Sequence, residues 1–259
     1  MDIAVLVKQV PDTYSERKLN ELNWTLDREA GDAVIDEIDS KGVEIALQLT
    51  EIHGGTVTVL TMGPARAAES IRKALAMGAH RAVHVSDEAL AGSDALQTSA
   101  ALAAALKTMP FDLIITGNEA TDGRTASMPA MLAERLGLPA VTSVVSVTVT
   151  GTTLSAQRVV EGGAAEVSAS LPAVISVNEK IGEPRYPNFK GIMAAKSKPV
   201  SILTAADLGL DVNRLGLANA STQVVSGTPR PLKTAGEKIA DDGTGGSKIA
   251  EYLVAQRLV

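Results

Sequence analysis

Short, unbroken apolar runs alternate with alanine-rich stretches of helical length, and this alternation narrows the possible folds more than any other feature. The runs at 3–7, 56–60, 82–85 and 113–116 are of strand length and lack polar alternation. Strands of that kind are covered on both faces, as in a parallel sheet. The stretches 43–52, 66–77, 93–108 and 126–136 read as helices. In the second of these, Ala67, Ile71, Leu75 and Ala76 share a face, and Gly78 follows Met77 as a terminating glycine. Repetition at this length makes βαβ units, and right-handed crossovers join them into an open, doubly wound, mostly parallel α/β sheet. Ligands in such sheets sit beyond the carboxyl ends of the strands. The segments after Val7, Leu60, Val85 and Thr116 are therefore where function is sought.

The character changes after Pro139. Segments 141–149 and 152–160 are rich in β-branched residues and are punctuated by Gly151 and by Gly162 and Gly163. This is the pattern of antiparallel hairpins, ending in a further apolar strand at 172–177. From 183 the chain reads as loop, then a short strand at 200–203 and a short helix at 205–209. Between 218 and 246 bulky apolar residues thin out in favour of Gly, Thr, Ser and Lys, the composition of an extended arm. A helical pattern returns at 249–258 and would suit docking on a partner. The expected division is an α/β domain over 1–204 and a C-terminal arm with its helix over 205–259.

Composition removes several chemistries. The 259 residues include no cysteine, so disulfides, thiolate catalysis and cysteine-ligated metals are excluded. A net charge of −6 and an aromatic content of 2% disfavour nucleic acid as a partner. No apolar run approaches the roughly 20 residues of a membrane span, and the start Met1-Asp2-Ile3 lacks the basic region of a secretory signal. A cytoplasmic location without membrane insertion is the expectation. His53, His80 and His84 fall in no metal-ligating pattern, and G-x-S-x-G is missing. So is G-x-G-x-x-G after the first strand, where Val7-Lys8-Gln9-Val10-Pro11-Asp12 stands instead. The stretch from Gly243 to Lys248 has the wrong order for a P-loop and reads as linker.

Two segments carry a positive signal. The first is Gly117, Asn118, Glu119, Ala120, Thr121, Asp122, Gly123, Arg124, Thr125, Ala126, Ser127 and Met128, between a strand and a helix. Gly117 and Gly123 are able to take positive φ, and N–H groups at the helix start attract an anion. Thr125 or Ser127 would cap the helix or bind a phosphate. The alternative is a plain strand-to-helix turn. The second segment, 180–198, sets Lys180, Arg185, Lys190, Lys196 and Lys198 against the single acid Glu183, and it holds Phe189, one of two phenylalanines. An aromatic on a basic loop is either a docking anchor or a side chain tucked onto its own domain.

With these residues in view, the whole chain resembles the small (beta) subunit of electron transfer flavoproteins. The likeness rests on Val7 to Asp12, on Ile71 to Ala79, on Ala120-Thr121-Asp122-Gly123, and most specifically on Glu183-Pro184-Arg185-Tyr186 leading into Gly191 to Lys196. It implies a Rossmann-like fold of the adenine-nucleotide-binding type over 1–204, and an arm over 205–259 that packs on a larger alpha subunit. That subunit would hold most of the FAD, while this one buries an AMP. The implied AMP contacts are Leu6, Asp36, Glu37, Ile38, Asp39, Met62 and the loop from Gly117 to Met128, with the phosphate against backbone N–H groups near Gly123 to Met128. Asp36-Glu37-Ile38-Asp39 departs from the family's usual Asn-Pro-aromatic-Asp, and Ser127 stands where Gln is common. Thr13 and Tyr14 fall where the family can place a residue near the flavin. Glu183, Pro184, Arg185, Tyr186, Phe189, Ile192 and Met193 fall on the family's recognition loop, with Phe189 at the anchor position where Leu is familiar.

The resemblance further implies an electron carrier with no catalytic residue of its own. It would serve flavin dehydrogenases, typically acyl-CoA dehydrogenases, on the way to a membrane quinone oxidoreductase. Three other readings stand beside it. One is an electron-bifurcating relative with a second FAD in place of AMP. The others are an adenine-nucleotide hydrolase or ligase, whose Ser-Gly-Gly-x-Asp-type loop is missing here, and a nucleotide-sensing module. The alanine-rich helices and few aromatics fit a bacterial source.

Overall fold

The computed structural model describes every residue except 16, 229, 230, 232–234, 237 and 239. It forms two compact units, Met1–Val225 and Ser226–Val259. In the first unit the four runs become parallel strands: β1 (Asp2–Leu6), β4 (Thr56–Met62), β5 (Arg81–Val85) and β6 (Leu113–Gly117). Two three-residue strands, β2 (Gln9–Pro11) and β3 (Ala33–Ile35), pair with each other just after β1. The helices are α1 (Glu37–His53), α2 (Ala68–Met77), α3 (Ala95–Leu106) and α4 (Met128–Leu136).

The antiparallel extension holds β7 (Ala140–Thr150), β8 (Thr153–Val160) and β9 (Gly163–Ser170). The next strand, β10 (Ala173–Val177), leaves the hairpins and inserts between β6 and β7, parallel to both. After the helix α5 (Phe189–Ala195) comes β11 (Val200–Leu203), parallel to β5. The nine-stranded sheet is ordered β11-β5-β4-β1-β6-β10-β7-β8-β9.

Side chains alternate across each strand and so feed two cores. Ile3, Val5, Val57, Val59, Leu113 and Ile115 face α1 and α2, meeting Val43, Leu47, Ile71 and Leu75. Ala4, Leu6, Leu60 and Ile114 face the other way, meeting Leu102 and Leu106 of α3 and Leu132 of α4. This two-sided burial is why the runs lack polar alternation.

Several elements differ from the sequence expectation. Asp36 starts α1 before residue 43 by accepting a hydrogen bond from the Ile38 N–H at 3.0 Å. Within that helix a Cβ on Gly42 would stand 3.3 Å from Ile115, so its glycine lets the helix lie close on the sheet. Residues 205–209 form hydrogen-bonded turns rather than a helix. The segment from 205 to 225 packs on the first unit, with Ala205 and Leu215 in its core and the Gln97 side chain donating to the Arg214 carbonyl at 3.0 Å.

In the second unit, α6 (Gly245–Ala255) follows a turn in which Asp241 accepts from the Gly243 N–H at 2.9 Å. Ile249, Tyr252 and Val254 are exposed on this helix. No helix among the described residues is long and apolar enough to cross a membrane.

Candidate functional site: a nucleotide cleft and a docking segment

The sheet changes winding direction at β1. One crossover leads through α1 to β4, and β6 returns on the opposite side of β1. A cleft opens at the carboxyl ends of these strands, as the doubly wound topology requires. Leu6, Met62, Asp39, Gly117, Asn118, Glu119, Ala120, Thr125, Ala126 and Met128 all line it. The remaining residues expected at the site fall around it. Asp36 and Thr121 form its hydrogen-bonded backing, Ile38 is buried beneath Gly117, and Glu37 is exposed. Asp122, Gly123, Arg124 and Ser127 sit in the loop outside the lining.

Val7, Lys8, Leu60, Thr98, Leu102, Thr116 and Pro129, none of them named from the sequence as a contact, complete the lining. Some signal was there. Leu60 pairs in register with Leu6, and Thr98 and Leu102 are four apart on α3, so each extends a surface already under suspicion.

Two aspartates at the start of α1 tie the cleft together. Asp36 is fully buried and accepts from the Thr121 N–H at 2.7 Å and the Thr121 hydroxyl at 2.8 Å. Asp39 accepts from the Lys8 N–H at 2.8 Å and the Gly117 N–H at 3.1 Å, bridging the ends of β1 and β6. Burial, reinforced by the neighbouring charge of Asp36, pushes the Asp39 carboxyl up to about 8 despite these two donors. A Cβ on Gly117 would come within 2.6 Å of the Asp39 carboxylate, so glycine is required there for close approach.

The positive φ expected at Gly117 and Gly123 falls instead on Arg124 (49°) and Ala126 (51°). Non-glycine residues in that region carry strain, and such strain clusters at binding sites. Asp122 anchors this strained loop. Its carboxylate meets the Lys8 ammonium at 2.7 Å and the Arg28 guanidinium at 3.3 Å, and its side chain is 2% exposed. Burial acts to raise its pKa, but the Lys8 charge, aided by Arg28, outweighs this and holds it below the usual carboxylate range.

Ser127 occupies the N-cap of α4, yet its side chain makes no capping hydrogen bond, and Pro129 follows in the first turn. Pro129 has no N–H and the Met131 N–H bonds the Ser127 carbonyl, so the Met128 and Ala130 N–H groups are the ones left to bind something else. Asn118 Oδ1, on the cleft wall, is buried and has no partner among the described residues.

The histidines serve locally: His80 accepts from the Val57 N–H at 3.0 Å, and His84 Nε2 lies 3.0 Å from the Gly63 carbonyl. No three of His, Asp and Glu among the described residues gather into a metal site. Thr13 and Tyr14 lie on an exposed turn after β2, with Tyr14 97% exposed.

The second candidate segment runs across α1 and α2. Arg185 points inward: its Nε lies 2.7 Å from Glu44, and its Nη1 lies 2.6 Å from Glu51. Burial of Glu44 works to raise its pKa, but the Arg185 hydrogen bonds hold it below the usual carboxylate range. Glu183 pairs with Lys41 at 3.0 Å, and Pro184 is half-buried. Asn188 caps α5 by accepting from the Gly191 N–H at 2.8 Å. Tyr186, Phe189, Ile192 and Met193 face outward, with Phe189 79% exposed. Phe189 therefore does not tuck onto its own domain.

A doubly wound sheet with a cleft at its switch point defines this chain as an α/β protein of the kind that holds a ligand beyond its strand ends. The family model for the electron transfer flavoprotein domain matches residues 23–208. Electron transfer flavoprotein subunit beta of Mycobacterium leprae is 54% identical, covering 100% of this chain and 99% of the relative. The protein of that name from Thermoanaerobacterium thermosaccharolyticum is 39% identical over 100% and 98% of the two chains. The caffeyl-CoA reductase-Etf complex subunit CarD of Acetobacterium woodii is 36% identical over 99% and 97%. The chain belongs to the electron transfer flavoprotein family, among its beta subunits.

Proposed function

We propose that this chain is one half of a heterodimeric electron carrier, binding AMP in the cleft and completing the enclosure of an FAD held mainly by the alpha subunit. In this reading the 183–196 segment docks flavin dehydrogenases such as acyl-CoA dehydrogenases, and the electrons leave towards a membrane quinone oxidoreductase. The setting is the bacterial cytoplasm. The observation that carries AMP binding is the uncapped first turn of α4 bordering the cleft. A phosphate there meets free N–H groups and the positive end of the helix dipole. Leu6, Leu60, Met62 and Leu102 offer an apolar wall to a flat base, and Asn118 Oδ1 offers an acceptor to an amino group. Lys8 and Arg28, already committed to Asp122, hold the loop rather than the phosphate.

The flavin supplies the redox chemistry. This chain's part is to bind, orient and shield, and it contributes no acid, base or nucleophile. The Acetobacterium woodii relative, a subunit of a caffeyl-CoA reductase-Etf complex, favours a second reading, in which a second FAD takes the cleft. The test is to purify the complex with its alpha subunit, denature it and count the released nucleotides by chromatography. One FAD and one AMP per heterodimer is expected. Two FAD without AMP would move the cleft to the second reading, and a single FAD with no other adenine nucleotide would overturn both.

A further inference from the structure

The basic segment looks like a ready-made cationic docking loop, but its most distinctive cation is turned inward. All three Arg185 guanidinium nitrogens are engaged. Nε and Nη2 reach the two Glu44 oxygens at 2.7 and 3.0 Å, and Nη1 and Nη2 reach the two Glu51 oxygens at 2.6 and 3.3 Å. The Arg185 backbone N–H adds a fifth contact, its third to Glu44, at 3.0 Å. Glu44 and Glu51 lie two turns apart on one face of α1, so the planar fork grips a rigid helix at two points.

The far end of the segment is tied as well. Arg72 donates to the Ala195 carbonyl at 2.7 Å, and Lys198 donates to the Leu75 and Ala79 carbonyls at 2.8 and 2.6 Å. Gly191 lies so close to α2 that a Cβ would stand 2.4 Å from the Ala76 carbonyl. Between these ties Tyr186, Phe189, Ile192 and Met193 stand exposed. Of the five basic residues from 180 to 198, Arg185 and Lys198 are thus spent on the fold. Lys180, Lys190 and Lys196 remain exposed, without an ion pair among the described residues.

We propose that Arg185 is a positioning residue for electron transfer: its fork on Glu44 and Glu51 holds the segment against α1 so that Phe189 meets the dehydrogenase already in place, and Arg185 itself does not touch that partner. The inference rests on the docking reading above. Its physical basis is pre-organisation, because a segment fixed before encounter loses less freedom on binding. Lysine cannot replace the fork, since a point charge cannot grip two carboxylates with the same geometry.

The test is steady-state reduction of the assembled FAD-loaded complex by an acyl-CoA dehydrogenase that reduces the wild-type complex. Arg185→Ala and Arg185→Lys should each raise the KM for the complex about tenfold with kcat unchanged, as expected for lost pre-organisation. FAD and AMP content should not change. Phe189→Ala should raise the KM at least as much. The decisive variant is the double one. If Arg185 acts only through Phe189, the Arg185→Ala/Phe189→Ala complex should be within about twofold of Phe189→Ala alone.

Multiplying effects would mean that Arg185 touches the partner, overturning the positioning role. A normal KM for Arg185→Ala beside a raised KM for Phe189→Ala would overturn it too. A normal KM for Phe189→Ala would instead remove the docking reading, and the inference with it. Should Arg185→Ala fail to fold, Glu51→Ala removes one of the two carboxylates the fork grips, at a 57% exposed side chain. It must then raise the KM in the same way, and a normal KM there would count against the lock.

Discussion

Asp39 is the residue where burial, charge and position conflict most. Its folded-state pKa of about 8 lies above the ordinary value of 3.8. Between about pH 4 and pH 8 the folded chain keeps a proton that the unfolded chain has lost, so stability falls as pH rises through that window, by at most about 1.4 kcal/mol per pH unit. Asp39→Asn should flatten that slope in denaturant melts of the isolated chain at pH 5, 6.5 and 8. The amide turns an NH2, which cannot accept, towards one of the two donating N–H groups, where the protonated carboxyl still presents a hydroxyl oxygen. The variant should therefore be less stable at pH 5 by about 1–3 kcal/mol and draw level as pH rises. An unchanged slope would place the buried proton elsewhere. The sequence offered Asp39 through family likeness, but its role in bridging Lys8 to Gly117 needs three distant segments to be brought together. No spacing along the chain contains that.

At the scale of elements, legibility followed length and burial. The four parallel strands were readable because both faces are buried, which leaves an unbroken apolar run. Strands β2 and β3 have three residues each, too few for any period to show. Strand β9 reads GAAEVSAS, poor in β-formers, and owes its form to pairing with β8 along its whole length. Helix α5 reads as loop in the sequence because Pro187 and Gly191 flank and interrupt a seven-residue stretch, although Asn188 is a visible cap. Gly191 is the price of its seat on α2. Gly191→Ala should push α5 off Ala76, speeding amide exchange at Ile192 to Ala195 while protection of α3 and α4 stays as it was. Equal exchange throughout would mean that α2 yields instead, and that the close approach is not what holds α5.

For the whole molecule, both hydrophobic clusters are built within Met1–Val225. A chain ending at Val225 should therefore unfold cooperatively at the midpoint of the full chain. If the C-terminal arm packs on the alpha subunit, the same truncation should weaken co-purification of that subunit. A lowered midpoint would assign the last segment to the fold, and undiminished co-purification would remove its proposed part in assembly. The cleft could be placed from the sequence only as far as the strand order could be guessed. Its outer loop lies within 117–128, one contiguous stretch of sequence. Its other walls come from β4 and α3, and they converge only once the sheet is wound.

Helix α1 joins the two candidate regions. Asp36 and Asp39 at its start belong to the cleft, and Glu44 and Glu51 further along hold Arg185. The helix is thus a ruler with marks at both ends, and its divisions are residues. One residue inserted between Ser40 and Val43 would lengthen it by only about 1.5 Å but swing everything beyond by about 100°. The glutamates would leave the face that meets Arg185 while the aspartates stayed in place. The number of residues between its two sets of acids is therefore as much a part of the design as the acids themselves.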